Sequence, residues 1–453
     1  MFREGFLDKT LRKIKKLIPK SIFDLFAPVY HAALAYAGAL MYGFPSRKMK
    51  VIGVTGTKGK STVTFLVSKV LEANGEGVAA IGSLGYKIKN KEWPNTLKMT
   101  MPGRFKLQKF LAEAKRAGCK YVVLEVTSEG IKQKRHLGIK FDCAVFTNLH
   151  KEHIESHGSF ENYYKAKQEL FKRTPNIHVI NADDAHVKLF GDFPAKRKIF
   201  YGLSGGDMRA SNVKAGLNET SFEVYGTTFS VRLAGQFNVL NYLAAISVGA
   251  MYGIDLPKMK PILESIGSVP GRMEFVQREP FGVVVDYAHT PESLIQVYQT
   301  LGNSKLETLN SKQTQNQKVQ NSKSRLICVL GAAGGGRDKW KRPEFGRIAS
   351  EYCDEIILTN EDPYDENPDE ILNQIESGFS SQTLNSKLKT LNYRRTLDRK
   401  EAIKEAIKKA RQGDTVIITG KGSETSMAVA GRKKLPWSDR DVVREFLQSG
   451  KQT

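Results

Sequence analysis

The chain has 453 residues, is 40% hydrophobic and 26% charged, and carries a net charge of +23 from 70 Lys and Arg against 47 Asp and Glu. These values exclude a disordered or fibrous chain, and the length is too great for one ordinary core, so a globular protein of two or three domains is expected. The basic excess suits nucleic acid, a membrane surface or polyanionic small substrates, but its scatter along the chain favours a lysine-rich solvated surface. Cys119, Cys143, Cys328 and Cys353 lie far apart, which predicts reduced thiols in a cytoplasmic protein and argues against a disulfide framework or zinc knuckle.

Residues 1–48 differ in character from the rest. Arg12, Lys13, Lys15, Lys16 and Lys20 precede Leu25 to Phe44, twenty residues with no formal charge but with Pro28, His31 and several alanines. Packed or peripheral helices with membrane contact are expected rather than a true span, because Ala, Tyr and Gly make the stretch only mildly apolar. Strand-like and helix-like runs then alternate: Val51–Thr55, Val78–Gly82, Tyr121–Val126, Cys143–Thr147 and His178–Asn181 as strands, with a helix at Lys106–Ala117. That alternation predicts a mostly parallel α/β sheet. Shorter strands within Phe222–Val231 and a helix over Val239–Met251 follow.

A second, Rossmann-like α/β set is expected from strands Gly282–Asp286, Arg325–Leu330, Glu355–Leu358 and Thr415–Thr419, with helices around Glu344–Tyr352 and Asp398–Arg411. The domains are therefore read as 49–268 and 269–453. NSKLETLN at 303–310 and NSKLKTLN at 385–392 sit in Ser/Asn/Gln/Lys-rich sequence, so 303–324 and 380–392 are expected to be disordered surface insertions.

The most specific local signal is Thr55, Gly56, Thr57, Lys58, Gly59, Lys60, Ser61 and Thr62, between a strand and a helix. Such a loop presents backbone N–H groups and a helix N-terminus to phosphate, with Lys60 for the terminal phosphates and Ser61 for Mg2+. The strict spacing would place glycine at 54, where the chain has Val54, so the loop is a variant. An apolar strand ending in Glu125 places a carboxylate beside that loop, suited to Mg2+. Between Thr147 and His157, three histidines and two acids are concentrated, and His153 and His157 share a helical spacing. Zinc is a minority reading, because no cysteine supports it.

These segments, with LEVTSEG at 124–130, YYKAKQELF at 163–171, GQFNVLN at 235–241, GRMEF at 271–275, VVDYAHTPESL at 284–294, GAAGGGRDKWKRP at 331–343 and GKGSE at 420–424, occur in an order that resembles the Mur ligase family, most like the UDP-N-acetylmuramoyl-tripeptide synthetases. The resemblance covers about 50–446. It implies a peptidoglycan-pathway ligase, in which a substrate carboxylate attacks the ATP γ-phosphate and an amino acid amine then displaces phosphate from the acyl phosphate. It further implies two Mg2+ ions, with Ser61 and Glu125 at one, and Glu125, His153 and a CO2-derived carbamate on Lys167 at the other. A free ammonium would repel Mg2+, whereas the carbamate is an anionic oxygen ligand.

By the same resemblance Asn238 meets adenine, Arg272 and Asp286 reach the phosphates or their loop, and His289 lines the cleft. Thr100, Thr127 and Arg135 match positions for a UDP-muramyl peptide. Arg337 matches the clamp for the amino acid's α-carboxylate, and Gly420 and Glu424 stand near its amine. Where the diaminopimelate pattern is Asp-Asn-Pro-Arg, this chain has Glu361, Asp362, Pro363 and Tyr364. Loss of the arginine and the presence of Glu361, Asp362 and Glu424 favour L-lysine or another diamine. Glu129 replaces the usual histidine. Only about fifty residues precede the loop, with no evident counterpart of the family's UDP-gripping domain, so a lipid-linked muramyl peptide is an alternative carrier. A monomer without nucleic acid is expected. The competing readings are a folylpolyglutamate synthase-like or lipid-linked-precursor ligase, a silent binding subunit, and a nucleic-acid-dependent P-loop ATPase; the last lacks a basic and aromatic track.

Overall fold

A computed structural model describes residues 20–97, 99–312, 324–379, 392–431 and 433–449; the side chains of 20–25 and 303–312 are not described. The sequence-predicted α/β class is correct, with two large sheets built from separate stretches of chain.

Helix α1 (Lys20–Met41) packs its small residues Ala35 and Ala39 toward a later helix and leaves Phe26, Val29, Tyr36, Leu40 and Met41 exposed. Among the described residues, no helix is long and apolar enough to cross a membrane. Strand β1 (Lys50–Thr55) follows, and the phosphate loop leads into α2 (Lys60–Glu72). Strands β2 (Val78–Gly82), β3 (Gly85–Ile88) and β4 (Lys91–Trp93) form an antiparallel edge. After α3 (Arg104–Arg116), which receives α1, come β5 (Tyr121–Glu125), β6 (Phe141–Phe146), α4 (Phe160–Lys172), β7 (Ile177–Asn181), β8 (Arg197–Gly202) and β9 (Met208–Arg209).

The resulting sheet has the order β4-β3-β2-β5-β1-β6-β7-β8-β9 and is parallel from β2 onward. Its central strands are buried on both faces, which is why they read as unbroken apolar runs rather than as alternation. Val54 of β1 stands opposite Glu125 of β5, so the phosphate loop and the carboxylate leave the same sheet edge. That edge, at the carboxyl ends of parallel strands, is where open α/β sheets bind ligands.

The stretch expected to hold short strands is a small sheet of β10 (Ser211–Ala215), β11 (Thr220–Val224) and β12 (Thr227–Val231). The hairpin turns at Tyr225 and Gly226, both with positive φ, as a two-residue turn requires. Helix α5 (Gln236–Met251) is buried along most of its length and packs along α2.

The second sheet contains β13 (Glu274–Gln277), β14 (Gly282–Val285), β15 (Leu326–Leu330), β16 (Glu355–Leu358), β17 (Tyr393–Arg395) and β18 (Thr415–Ile418), ordered β13-β14-β18-β15-β16-β17, and only β13 runs antiparallel. Helices α6 (Pro291–Lys312), α7 (Lys341–Tyr352), α8 (Arg399–Lys409) and α9 (Asp439–Ser449) cover it. The insertion expected from 303 is corrected in part: the backbone of α6 stays helical to Lys312, through a run with good helix formers in Lys, Leu and Glu. The remainder of that insertion to 323, and 380–391, lie outside the described residues.

The cysteine reading also needs correction. Cys328 and Cys353 form a disulfide with a Cα–Cα distance of 6.1 Å. They are 25 residues apart in sequence, but β15 and β16 are parallel neighbours, and the chain between the preceding helix and β16 brings Cys353 back to Cys328 of β15. Cysteine spacing therefore gives no argument for a reducing compartment.

One buried ion pair ties this half of the chain together. Arg399 and Asp439 are fully buried and joined by two 2.8 Å hydrogen bonds, while Arg399 also donates to the carbonyls of Thr419 and Asn360 at 2.8 and 3.2 Å. Trp437 Nε1 donates to the same carboxylate at 2.8 Å. Removing one partner strands a charge in the core, so Arg399→Met is expected to lose about 3–5 kcal/mol in denaturant unfolding, with R399M/D439L less destabilised than the sum of its single changes. Equal and additive losses would show that the pair is not coupled.

Candidate active site

The phosphate loop is stapled to the segment after β6. Thr57 N donates to Asn148 O, Lys58 N to Asn148 Oδ1, both at 2.8 Å, and Thr147 Oγ1 to Lys58 O at 2.6 Å. Gly56, at φ +148°, is required: a Cβ there would lie 1.9 Å from Thr147 Oγ1. Lys60 folds back onto the carbonyls of Gly56 and Thr57 at 3.1 and 2.8 Å, and burial lowers its pKa.

Ser61 Oγ donates to Glu125 Oε1 at 3.1 Å, and Arg272 Nη2 donates to Ser61 Oγ at 3.1 Å. Ser83, absent from the sequence-derived site, supplies its backbone N–H to Glu125 Oε2 at 2.8 Å. A hydroxyl and a carboxylate in contact at a helix N-terminus form a hard-oxygen donor pair, which fits Mg2+. Lys167 is 1% exposed and lies beneath the loop rather than in the cleft, donating to Gly56 O at 2.7 Å with its amine 4.5 Å from the Tyr163 ring centroid. Burial, reinforced by Lys60, pushes its pKa well down.

His153 stands at the left-handed end of a short turn, φ +58°, and burial lowers its pKa to about 4. Its side chain borders the cleft, whereas His157 Nε2 lies 3.3 Å from Glu129 Oε1. The two histidines therefore do not share a ligand, and Glu129 is held down to about 2, chiefly by His157. Among the described residues no cluster of three His, Cys, Asp or Glu forms a metal site.

Asp338, also unpredicted, closes the cleft from the second sheet: its carboxylate accepts from His153 N at 2.9 Å and Glu155 N at 3.2 Å. Glu152 bridges Lys58 at 3.4 Å and His289 Nε2 at 3.1 Å; although burial pushes its pKa upward, these partners hold it well below the usual range. Asp286 accepts from Met273 N and Ala288 N, both at 2.6 Å, and so fixes the turn that carries Arg272 while bordering the cleft. Burial raises its pKa. Arg272 stacks 4.4 Å over the Tyr287 ring.

Lys58, Lys60, Ser61, Glu125, Glu152, His153, Arg272, Asp286 and His289 border one cleft of about 460 Å3. Asn238 is at one end, with Oδ1 accepting from Asn241 at 2.9 Å. Thr100, Thr127 and Arg135 are at another. Thr100 bonds Ser83 at 2.8 Å, Thr127 caps a turn by accepting from Gly130 N at 3.1 Å, and Arg135 donates to Gln133 Oε1 at 2.7 Å.

A contiguous space of about 310 Å3 is bordered by Arg337, Tyr364, Glu361, Asp362, Gly420 and Glu424. Lys421, overlooked in the GKGSE run, is fully buried there and donates to Asp362 Oδ1 and Ser426 O at 2.8 and 2.9 Å and to Glu424. Asp362 and Glu424 thus share an internal cation, and the expectation that all three carboxylates await an ammonium is corrected. Glu361 is 5% exposed, and burial pushes its pKa up to about 7. It packs so closely on Gly420, φ +104°, that a Cβ there would lie 2.3 Å from Glu361 Oε2.

The chain matches the Mur ligase middle domain over residues 54–249 and the Mur ligase glutamate ligase domain over 271–422. It is 35% identical to a UDP-N-acetylmuramoyl-L-alanyl-D-glutamate–2,6-diaminopimelate ligase of Clostridium acetobutylicum, over 92% of this chain and 82% of the relative. A UDP-N-acetylmuramyl-tripeptide synthetase of Roseiflexus is also 35% identical, over 93% and 82%. A solved 2,6-diaminopimelate ligase superposes with TM-score 0.58 at 29% identity, covering 89% of this chain and 79% of that one. Folylpolyglutamate synthase of Mycobacterium tuberculosis shares the fold, with TM-score 0.65 at 17% identity over 86% and 92% of the two chains. Relatives at this identity across nine-tenths of the sequence establish that the chain belongs to the Mur ligase family, whose members form amide bonds with conversion of ATP to ADP.

Proposed function

We propose that this enzyme adds L-lysine, or another diamine without a distal carboxylate, to a UDP-N-acetylmuramoyl dipeptide in cytoplasmic peptidoglycan synthesis. The observation that carries the choice of amino acid is Glu361: a buried carboxylate raised to about 7, beside Tyr364, while its neighbours Asp362 and Glu424 are engaged by Lys421. Arg337 would take the α-carboxylate through its forked donors and Glu361 the side-chain ammonium. The domain reading assigns 49–268 to ATP and 269–453 to the amino acid, acting as a monomer.

In the reaction proposed, an oxygen of the substrate carboxylate attacks the γ-phosphorus and the bond to ADP breaks. The neutral amine then attacks the acyl carbon, phosphate leaves and the amine proton goes to solvent. Lys58, Lys60 and Arg272 face the transferring phosphoryl group, where cations placed in advance stabilise the developing charge. Bound Mg2+ would neutralise the converging anions, held by Ser61 and Glu125 at one position and by Glu125, His153 and carbamylated Lys167 at a second. The burial of Lys167 supports the carbamate, since only the neutral amine reacts with CO2. The nucleic-acid motor reading gives way to the family assignment. The exposed apolar stripe on α1 supports peripheral membrane contact, through which a lipid-linked muramyl peptide could serve as carrier.

Lysine is expected to give at least tenfold higher kcat/KM than meso-diaminopimelate in ADP release with the UDP-muramyl dipeptide, and Glu361→Gln to raise the lysine KM at least tenfold. Because the Glu361 carboxyl titrates near 7, above its ordinary value, it becomes anionic as pH rises; lysine KM should fall between pH 6 and 8 in the native enzyme and stay flat in E361Q. Faster turnover of meso-diaminopimelate would reject the lysine assignment.

Incubation with 13C-bicarbonate should produce a carbamate carbon resonance that Lys167→Ala abolishes, and CO2 depletion should slow ADP release; a resonance that persists in K167A would place the adduct elsewhere. For membrane contact, the full chain should sediment with anionic but not neutral vesicles, and Phe26→Asp with Leu40→Asp should weaken this severalfold. Absence of sedimentation with anionic vesicles would end that reading.

A further inference from the structure

The end of the cleft that holds Thr100, Thr127 and Arg135 is built from two segments: residues 99–101, which lead into α3, and the short helical turn Ser128–Lys132 with the loop after it. That turn ends with Lys134 at φ +58°, where Lys134 N and Arg135 N return to the carbonyls of Ile131 and Gly130, both at 2.8 Å. A left-handed residue other than glycine is strained, so such a turn needs support from outside. Arg104, the first residue of α3, supplies it by donating from Nη2 to the carbonyl of Gln133. Gln133 Oε1 in turn accepts from Arg135 Nη2 at 2.7 Å, and Arg135 Nη1 donates to Met101 O. These bonds close a ring between the two segments. Gln133 and Arg135 border the cleft, whereas Arg104 reaches it through them. Each of the bonds ends on a neutral oxygen, which leaves the Arg135 charge available to an anionic ligand.

Helix α1 backs this ring from the side away from the cleft. A Cβ on Gly38 would sit 3.5 Å from the Phe105 ring, next to Arg104, and a Cβ on Gly138 would sit 2.6 Å from Ala39 Cβ. The helix therefore stands against both halves of the ring, with no room for a larger residue where it meets Gly138. We propose that Arg104 is a positioning residue for the muramyl peptide, acting through Gln133 to hold Arg135, and that α1 sets the affinity for that substrate by fixing the relay. The role rests on reading this end of the cleft as the acceptor end.

The test is ADP release by the full chain with the UDP-N-acetylmuramoyl dipeptide varied, and with MgATP and the faster of lysine and meso-diaminopimelate saturating. Arg104→Met is expected to raise the acceptor KM at least tenfold, with kcat and the MgATP KM within twofold of wild type. Arg104→Gln, shorter and neutral, should show the same split and serves if R104M does not fold. In R104M/R135A the acceptor KM should be no higher than in R135A alone, because Arg104 acts through Arg135. Ala39→Leu, which presses on Gly138 from α1, should raise the acceptor KM at least threefold with the MgATP KM unchanged. An unchanged acceptor KM in R104M or R104Q, or additive effects of R104M and R135A, overturns the positioning role. An unchanged acceptor KM in A39L overturns the part of α1 alone. If R135A itself leaves the acceptor KM unchanged, the acceptor-end reading fails, and the role of Arg104 falls with it.

Discussion

Positive charge concentrated beneath and around the phosphate loop is the constraint on which the site depends. Lys58, Lys60, Lys167 and Arg272 converge there, and burial shifts Lys60 and Lys167 toward their neutral forms. Glu125 and Glu152 offset part of the field, but each is shared: Glu125 with Ser61 and Ser83, Glu152 with Lys58 and His289. The loop backbone provides the rest, through the carbonyls of Gly56 and Thr57. A polyphosphate would replace these provisional contacts with stronger ones. Cations held by weak carbonyl dipoles can be released to a ligand at little cost, whereas cations locked into carboxylate pairs cannot.

The second sheet solves the opposite problem. Its buried Arg399 reaches the carbonyls of Asn360 and Thr419, each immediately before a residue of the proposed amino acid pocket, Glu361 and Gly420. A single bidentate pair with Asp439 thereby fixes both loops that define the pocket floor. The same rigid half carries Asp338, which grips the backbone around His153. Two hydrogen bonds to one carboxylate, with Lys339 N donating to Glu155 Oε1 at 3.1 Å beside them, couple the position of the second sheet to the turn bearing a candidate metal ligand.

Much of this architecture is legible in sequence because parallel strands buried on both faces leave unbroken apolar runs such as Tyr121–Leu124 and Val283–Val285. The phosphate loop and Glu125 are likewise legible, since a glycine-bearing turn between strand and helix constrains local geometry. What composition conceals is pairing across the fold. Nothing in the spacing of Cys328 and Cys353 indicates that the turn into a neighbouring strand brings them together, and low-complexity wording hides the helical continuation to Lys312. Lys421 is the most instructive omission. A lysine three residues before a glutamate reads as a surface pair, but here it is fully buried and takes two carboxylates out of the count of groups free to bind an amine.

That internal cation changes what the amino acid pocket can select. With Asp362 and Glu424 engaged by Lys421, their charge no longer distinguishes one incoming amine from another; they fix the Gly420–Glu424 turn, with Tyr287 Oη donating to Glu424 at 3.2 Å. On the proposed reading selectivity falls on Glu361 and Tyr364, three residues apart on one loop and differing in kind. Tyr364 presents a ring in a left-handed backbone position, φ +53°, with the Arg337 guanidinium beside it. Burial pushes the Glu361 carboxyl up to about 7, with Arg399 and Lys421 opposing the shift. One end of the site gathers cations around the phosphate loop, and the other holds a buried carboxylate whose pKa burial raises against the opposing pull of Arg399 and Lys421.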